Sequence, residues 1–212
     1  ATVGRTITFG AVSFHVAVAA SGKGSNLDAL LRALGPEGPI SVDLVLSNRG
    51  DVGAVALARI HGIPTAVMGN PDDARAWLAA LAMRPIDLLV LAGYLKMVPA
   101  PVVRAFQGRI INIHPALLPR HGGPGMYGRR VHEAVLAARD RESGASVHLV
   151  TEEYDRGPVL AQGRVKVQPG DSPETLAARV LAVEHRLLPE AVQRAAQAGR
   201  PVPFEFEWVE TT

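Results

Sequence analysis

The chain has 212 residues, of which 48% are hydrophobic and 20% charged, enough to bury one sizeable core and too little for two independent domains. Lys+Arg 22 against Asp+Glu 20 leaves a net charge of +2, so charge gives no footprint for nucleic acid. The absence of cysteine excludes disulfides, thiolate nucleophiles and cysteine-ligated metal centres, and suits a reducing, cytoplasmic setting.

In chain order, the first apolar stretch runs through Phe14–Ala20. Thr6, Thr8 and Ser13 ahead of it and His15 within it break any longer apolar run from the first residues, so it reads as a strand entering a Gly-rich turn and not as a secretory signal. No segment supplies the roughly 18 consecutive apolar residues of a membrane span, and no membrane partner is expected. Short apolar runs at Phe14–Ala19, Val42–Leu46, Thr65–Met68 and Leu88–Ala92 predict strands buried on both faces. Amphipathic stretches at Asn26–Leu34, Val52–His61, Asp72–Met83 and Ala100–Phe106 predict the helices between them. Arg109–Ile113, Ala145–Thr151 and Val159–Val167 predict further strands, with Gly157-Pro158 turning between the last two. Ser172-Pro173-Glu174 predicts the start of a long helix to about Ala198, interrupted at Pro189. Phe204, Phe206 and Trp208, alternating with Glu205 and Glu207, predict a one-sided terminal strand that packs.

The fold class expected is α/β: a Rossmann-like open, mostly parallel sheet with helices on both faces and an antiparallel extension in the C-terminal half. The organisation expected is a tail over 1–13, one domain over 14–200 and a terminal strand or tail over 201–212.

Ser21-Gly22-Lys23-Gly24-Ser25-Asn26 follows the first strand and opens the first helix, where free backbone N–H groups and the helix dipole favour an anion such as phosphate. Gly22 and Gly24 let the turn bend, and Ser25 or Asn26 can cap the helix. A tight turn without ligand is the plain alternative. Dinucleotide binding is the sharper one, although Leu27 stands where a third Gly is wanted and Ser47-Asn48-Arg49 where an acid is wanted. Arg49 at a 2′-phosphate keeps an NADP-dependent oxidoreductase open.

In Arg109–Pro115, Asn112 and His114 lie two apart on a strand, so they share a face at the carboxyl edge of the sheet. An amide there can donate to a developing oxyanion, and an imidazole can move protons near neutral pH. Both can equally be hydrogen-bonded wall residues. The acidic loop Thr151–Pro158 can bring a carboxylate to His114, which would raise the imidazole's pKa by favouring its charged form. Glu152 and Glu153 read as solvated charges.

Ser21–Asn26, Leu91–Met97, Asn112–Pro119 and Ser146–Thr151 with Asp155–Pro158 together resemble the folate-dependent phosphoribosylglycinamide formyltransferases of purine biosynthesis, in order over about residues 14–200. The resemblance implies the formyltransferase fold, 10-formyltetrahydrofolate as cosubstrate, no metal, and small-molecule substrates only. It implies catalytic roles for Asn112, His114 and Asp155, with protonated His114 and Asn112 at the oxyanion. It places the substrate phosphate on Gly24, Ser25 and Asn26, the ribose hydroxyls on Glu184, and the folate along Leu95, Lys96, Met97 and Val98 beside Asn112, with Arg75 at its tail. Arg156 stands where Gly is usual, His121–Gly128 is a longer loop whose glycines suggest a flap, and residues 1–13 precede the usual start. Formyltetrahydrofolate hydrolases and methionyl-tRNA formyltransferases are similar, but normally carry an amino-terminal regulatory domain and a basic carboxyl-terminal domain respectively. A homodimer is left open.

Overall fold

The alternating runs fold as β1 (Phe14–Ala19), α1 (Ser25–Leu34), β2 (Ile40–Ser47), α2 (Gly53–Ile60), β3 (Thr65–Val67), α3 (Ala74–Ala82), β4 (Leu88–Leu91), α4 (Ala100–Ala105) and β5 (Ile110–His114). Then follow α5 (Arg129–Ala137), β6 (Glu142–Leu149), β7 (Val159–Lys166) and α6 (Pro173–Ala198). This is a computed structural model, and it describes residues 13–208. The expected tail thus lies outside the described residues up to position 12, as do residues 209–212.

The seven strands form one sheet in the order β3-β2-β1-β4-β5-β6-β7, parallel through β5 and antiparallel at β6 and β7. The pleat sorts the apolar residues between two cores. Leu88 and Val90 face the side covered by α1, α2 and α6, while Leu89 and Leu91 face Trp77 and Leu81 of α3 and Val102 and Val103 of α4. A strand buried on both faces has no polar position to give up, which is why this run is uninterrupted.

From β1 the chain winds outward to β3, then returns to β4 on the other side of β1. The loops leaving β1 and β4 part in opposite directions and open a crevice at the carboxyl edge, where ligands bind in such sheets. Ser21 N–H donates to the Gly93 carbonyl at 3.1 Å, so the two loops are tied at its floor.

Two expectations need correction, and one helix was not predicted. α6 runs unbroken through Pro189, because Leu187, Leu188, Ala191 and Val192 around it are all buried on the sheet, and that packing outweighs one lost backbone hydrogen bond. Residues 201–208 form no strand. Phe204 N–H bonds Leu160 O at 2.9 Å, and Phe204, Phe206 and Trp208 pack on the core as a one-sided irregular segment. α5 went unpredicted because its sequence, opening on Arg129-Arg130 after a Gly-rich loop, buries only Val131, His132 and Val135.

Leu188 is fully buried beneath the sheet. Leu188→Ala should lower unfolding free energy by about 2–5 kcal/mol through lost transfer energy and a residual cavity. Urea denaturation checks this, and a loss under about 1 kcal/mol would contradict the assigned core.

Candidate active site

Along β5, Ile111 and Ile113 point to the α6 side, and Asn112 and His114 to the other, where Pro115 ends the ladder. The antiparallel register with β6 sets His148 opposite Asn112 and Ser146 opposite His114. His148 Nδ1 donates to the Leu149 carbonyl at 2.9 Å, so in the neutral ring Nε2 accepts from Asn112 Nδ2 at 3.0 Å. The second N–H of Asn112 is left for the cleft. Nε2 of His148 also lies 3.5 Å from Asp155 Oδ1, so a protonated ring would donate there instead.

Asp155 enters from the β6–β7 loop with φ +52°, a left-handed backbone that Asp tolerates better than most residues. Gly157 makes this turn sterically feasible, since a Cβ there would stand 1.7 Å from the Leu149 carbonyl. Arg156 needs no such freedom: its φ is not positive and its side chain is exposed. The Asp155 carboxylate places Oδ2 3.7 Å from His114 Nδ1 and accepts from Gly123 N–H at 2.9 Å. His114 Nε2 donates to the His121 carbonyl at 2.8 Å. The Gly-rich loop therefore closes on the same two side chains, and Gly122 lies so close that a Cβ there would stand 2.5 Å from Leu118 Cδ2 and 3.1 Å from Asp155 Cβ.

Charge does not follow the expectation at His114. Burial lowers its pKa, and the opposing pull of Asp155 and of the His121 carbonyl does not restore it, so the imidazole sits below its ordinary value and not above it. At Asp155 burial pushes upward, but the His148 and His114 rings and the Gly123 N–H outweigh it and hold the carboxyl below the usual range. The free site thus combines an ionised Asp155 with a neutral His114.

Of the loop expected to hold phosphate, none of Gly24, Ser25 and Asn26 lines the cleft around Asn112 and His114. Gly24 has φ +84° and is the N-cap of α1, with no side-chain cap, so neither Ser25 nor Asn26 caps it and the first-turn N–H groups stay available to an anion. A Cβ at Gly24 would come 2.8 Å from Ala54 Cα, so α2 also requires glycine there. Asn26 instead reaches Glu184 of α6, donating from Nδ2 to Oε2 at 2.6 Å. Burial raises the Glu184 carboxyl to about 7 against the lowering effect of Asn26. Ser21 Oγ donates to Asn48 at 2.7 Å and accepts from Leu95 N–H at 3.0 Å. Arg49 is held by Asp51 through bonds of 3.1 and 3.0 Å, which occupies the cation a 2′-phosphate would need.

One cleft of about 620 Å³ joins Asn112, His114, His148, Asp155 and Glu184 with Leu95, Lys96, Met97 and Val98. Arg75 is not part of its lining. It is exposed at the first turn of α3, where Asp73 caps the helix by accepting from Arg75 N–H at 3.0 Å. Sequence reading gave no role to His148, His121 or Ser146. An antiparallel register between β5 and β6 was the signal that pairs His148 with Asn112.

Residues 14–192 match the formyl transferase family. The chain is 44% identical over 186 residues to the chloroplastic phosphoribosylglycinamide formyltransferase of Arabidopsis thaliana, covering 84% of this chain but only 63% of that one. It is 34% identical over 203 residues to the phosphoribosylglycinamide formyltransferase of Escherichia coli K12, covering 92% of this chain and 93% of the other. The solved phosphoribosylglycinamide formyltransferase of Anaplasma phagocytophilum superposes with a TM-score of 0.81 at 35% identity, covering 87% of each chain.

Glu184 makes a pH prediction. Its folded value of about 7 lies above the ordinary 4.5, so its contribution to stability is complete below the lower value and is lost as pH rises through the upper one. Glu184→Gln removes that loss, and the difference between variant and native chain should move in the variant's favour by on the order of 3 kcal/mol from about pH 4 to about pH 8. Urea unfolding at both pH values measures it; a constant difference would contradict the burial argument.

Proposed function

The chain belongs to the formyl transferase family, and on that premise we propose that it transfers the formyl group of 10-formyltetrahydrofolate to the amine of 5′-phosphoribosylglycinamide, a step of purine biosynthesis. The observation that carries this reading is the cleft itself. It sets an amide, an imidazole and an ionised carboxylate together, with Glu184 on one side and the segment Leu95–Val98 on the other. Glu184 accepts from Asn26 in the first turn of α1, whose N-terminus has no side-chain cap.

The reaction is direct acyl transfer. The acceptor amine attacks the formyl carbon, a C–N bond forms, and the formyl oxygen becomes an oxyanion. Asn112, held by His148 through one N–H, gives the other to that oxygen. His114 starts neutral and gains its proton as the amine loses one, and the Asp155 carboxylate against Nδ1 stabilises the imidazolium so formed. The intermediate collapses by breaking the bond to folate nitrogen, which takes up the proton His114 gained and leaves as tetrahydrofolate, so that the imidazole is neutral again. No covalent enzyme intermediate enters.

On the acceptor side, N–H groups at Gly24, Ser25 and Asn26 hold the phosphate, and Glu184 takes the ribose hydroxyls. On the folate side, the backbone of Leu95–Val98 and its apolar neighbours form the wall. Arg75 has no assigned part. The protein works in the cytoplasm on small molecules, and as a single domain over 14–200.

An absorbance assay with 10-formyltetrahydrofolate, with and without glycinamide ribonucleotide, tests the reading. Tetrahydrofolate release should require the amine; release without it would favour a hydrolase. Asn112→Ala should lower kcat on the order of 10²–10³ with little change in acceptor affinity. Unchanged turnover would remove Asn112 from the chemistry.

A further inference from the structure

His132, on α5, has no part in the mechanism above. Its ring is 5% exposed and lines the cleft with His114 and Glu184. Nδ1 is sealed from solvent and meets no hydrogen-bond partner among the described residues, which leaves Nε2 as the accessible nitrogen. Burial, and secondarily the neighbouring His114, holds the pKa below the ordinary histidine value, so the ring is neutral. A neutral imidazole carries one proton, and only the accessible nitrogen can hand it to an acceptor. His132 thus offers the cleft an uncharged N–H donor. α5 packs against α6, so the donor belongs to the wall that carries Glu184.

Between its ribose and its reacting amine, the acceptor assigned above has one uncharged hydrogen-bond acceptor, the glycinamide carbonyl. We propose that His132 donates from Nε2 to this carbonyl and selects acceptors that carry an amide next to the amine. The proposal rests on that reading of the acceptor. A buried donor built to meet a carbonyl rejects a molecule lacking it, because the donor is then left unpaired. An amine on a plain alkyl arm would suffer that penalty, whereas an isolated wall histidine would not distinguish the two.

Calorimetric titration without folate tests it, using glycinamide ribonucleotide and an analogue with a methylene in place of the carbonyl. His132→Phe should weaken binding of the natural acceptor about tenfold, the effect of one hydrogen bond, and leave the analogue nearly unchanged. His132→Gln, which restores an N–H donor, should recover most of the loss. His132→Ala serves the same comparison if the phenyl ring prevents folding. Equal weakening of both ligands, or no weakening of either, overturns the proposal. A native chain that binds neither ligand overturns the acceptor assignment itself, a result separate from any behaviour of the variants.

Discussion

The contact on which the site depends is the Asp155 carboxylate, where β5, β6 and the Gly-rich loop converge. His114 of β5 lies 3.7 Å from Oδ2, His148 of β6 lies 3.5 Å from Oδ1, and Gly123 N–H donates to Oδ2 at 2.9 Å. Its backbone is held in the left-handed region by a turn that admits only glycine at position 157. Local strain of this kind persists when surrounding structure over-determines it, and here it turns a loop residue into a fixed part of the sheet edge.

Burial and charge compete throughout the cleft, and which wins differs by residue. At Asp155 the neighbouring rings and an N–H overcome desolvation, so the carboxylate is ionised. At His114 and Glu184 desolvation wins, leaving a neutral imidazole and an acid near its midpoint at neutral pH. A neutral base beside a fixed anion is suited to take a proton during reaction instead of arriving with one. Glu184 lines the cleft at a cost to stability as pH rises, as groups kept for ligands often do.

Much of the fold was legible because its signals are local. Period-2 alternation in β5 put Asn112 and His114 on one face before any pairing was known, and the two-sided apolar run at Leu88–Leu91 announced a central parallel strand. The misses share a physical cause, which is dependence on distant partners. Pro189 continues a helix only because the sheet beneath it is apolar, and the terminal aromatics pack without joining a ladder. His148 acquires its place through the β5–β6 register, and His114 its charge state through burial that no local residue reveals. Arg75 came from the resemblance alone and not from any local pattern; it stands exposed in the first turn of α3, outside the cleft lining.

The central claim is that Asn112, His148 and Asp155 act as one unit, with the amide oriented through the histidine that Asp155 adjoins. The most direct measurement is kcat for Asn112→Ala, Asp155→Asn and the double variant under saturating substrates. Groups that act together are non-additive, so the double variant should lose little more rate than the worse single variant. A double variant whose loss equals the product of the two single losses would mean that the residues act independently, and would contradict the account.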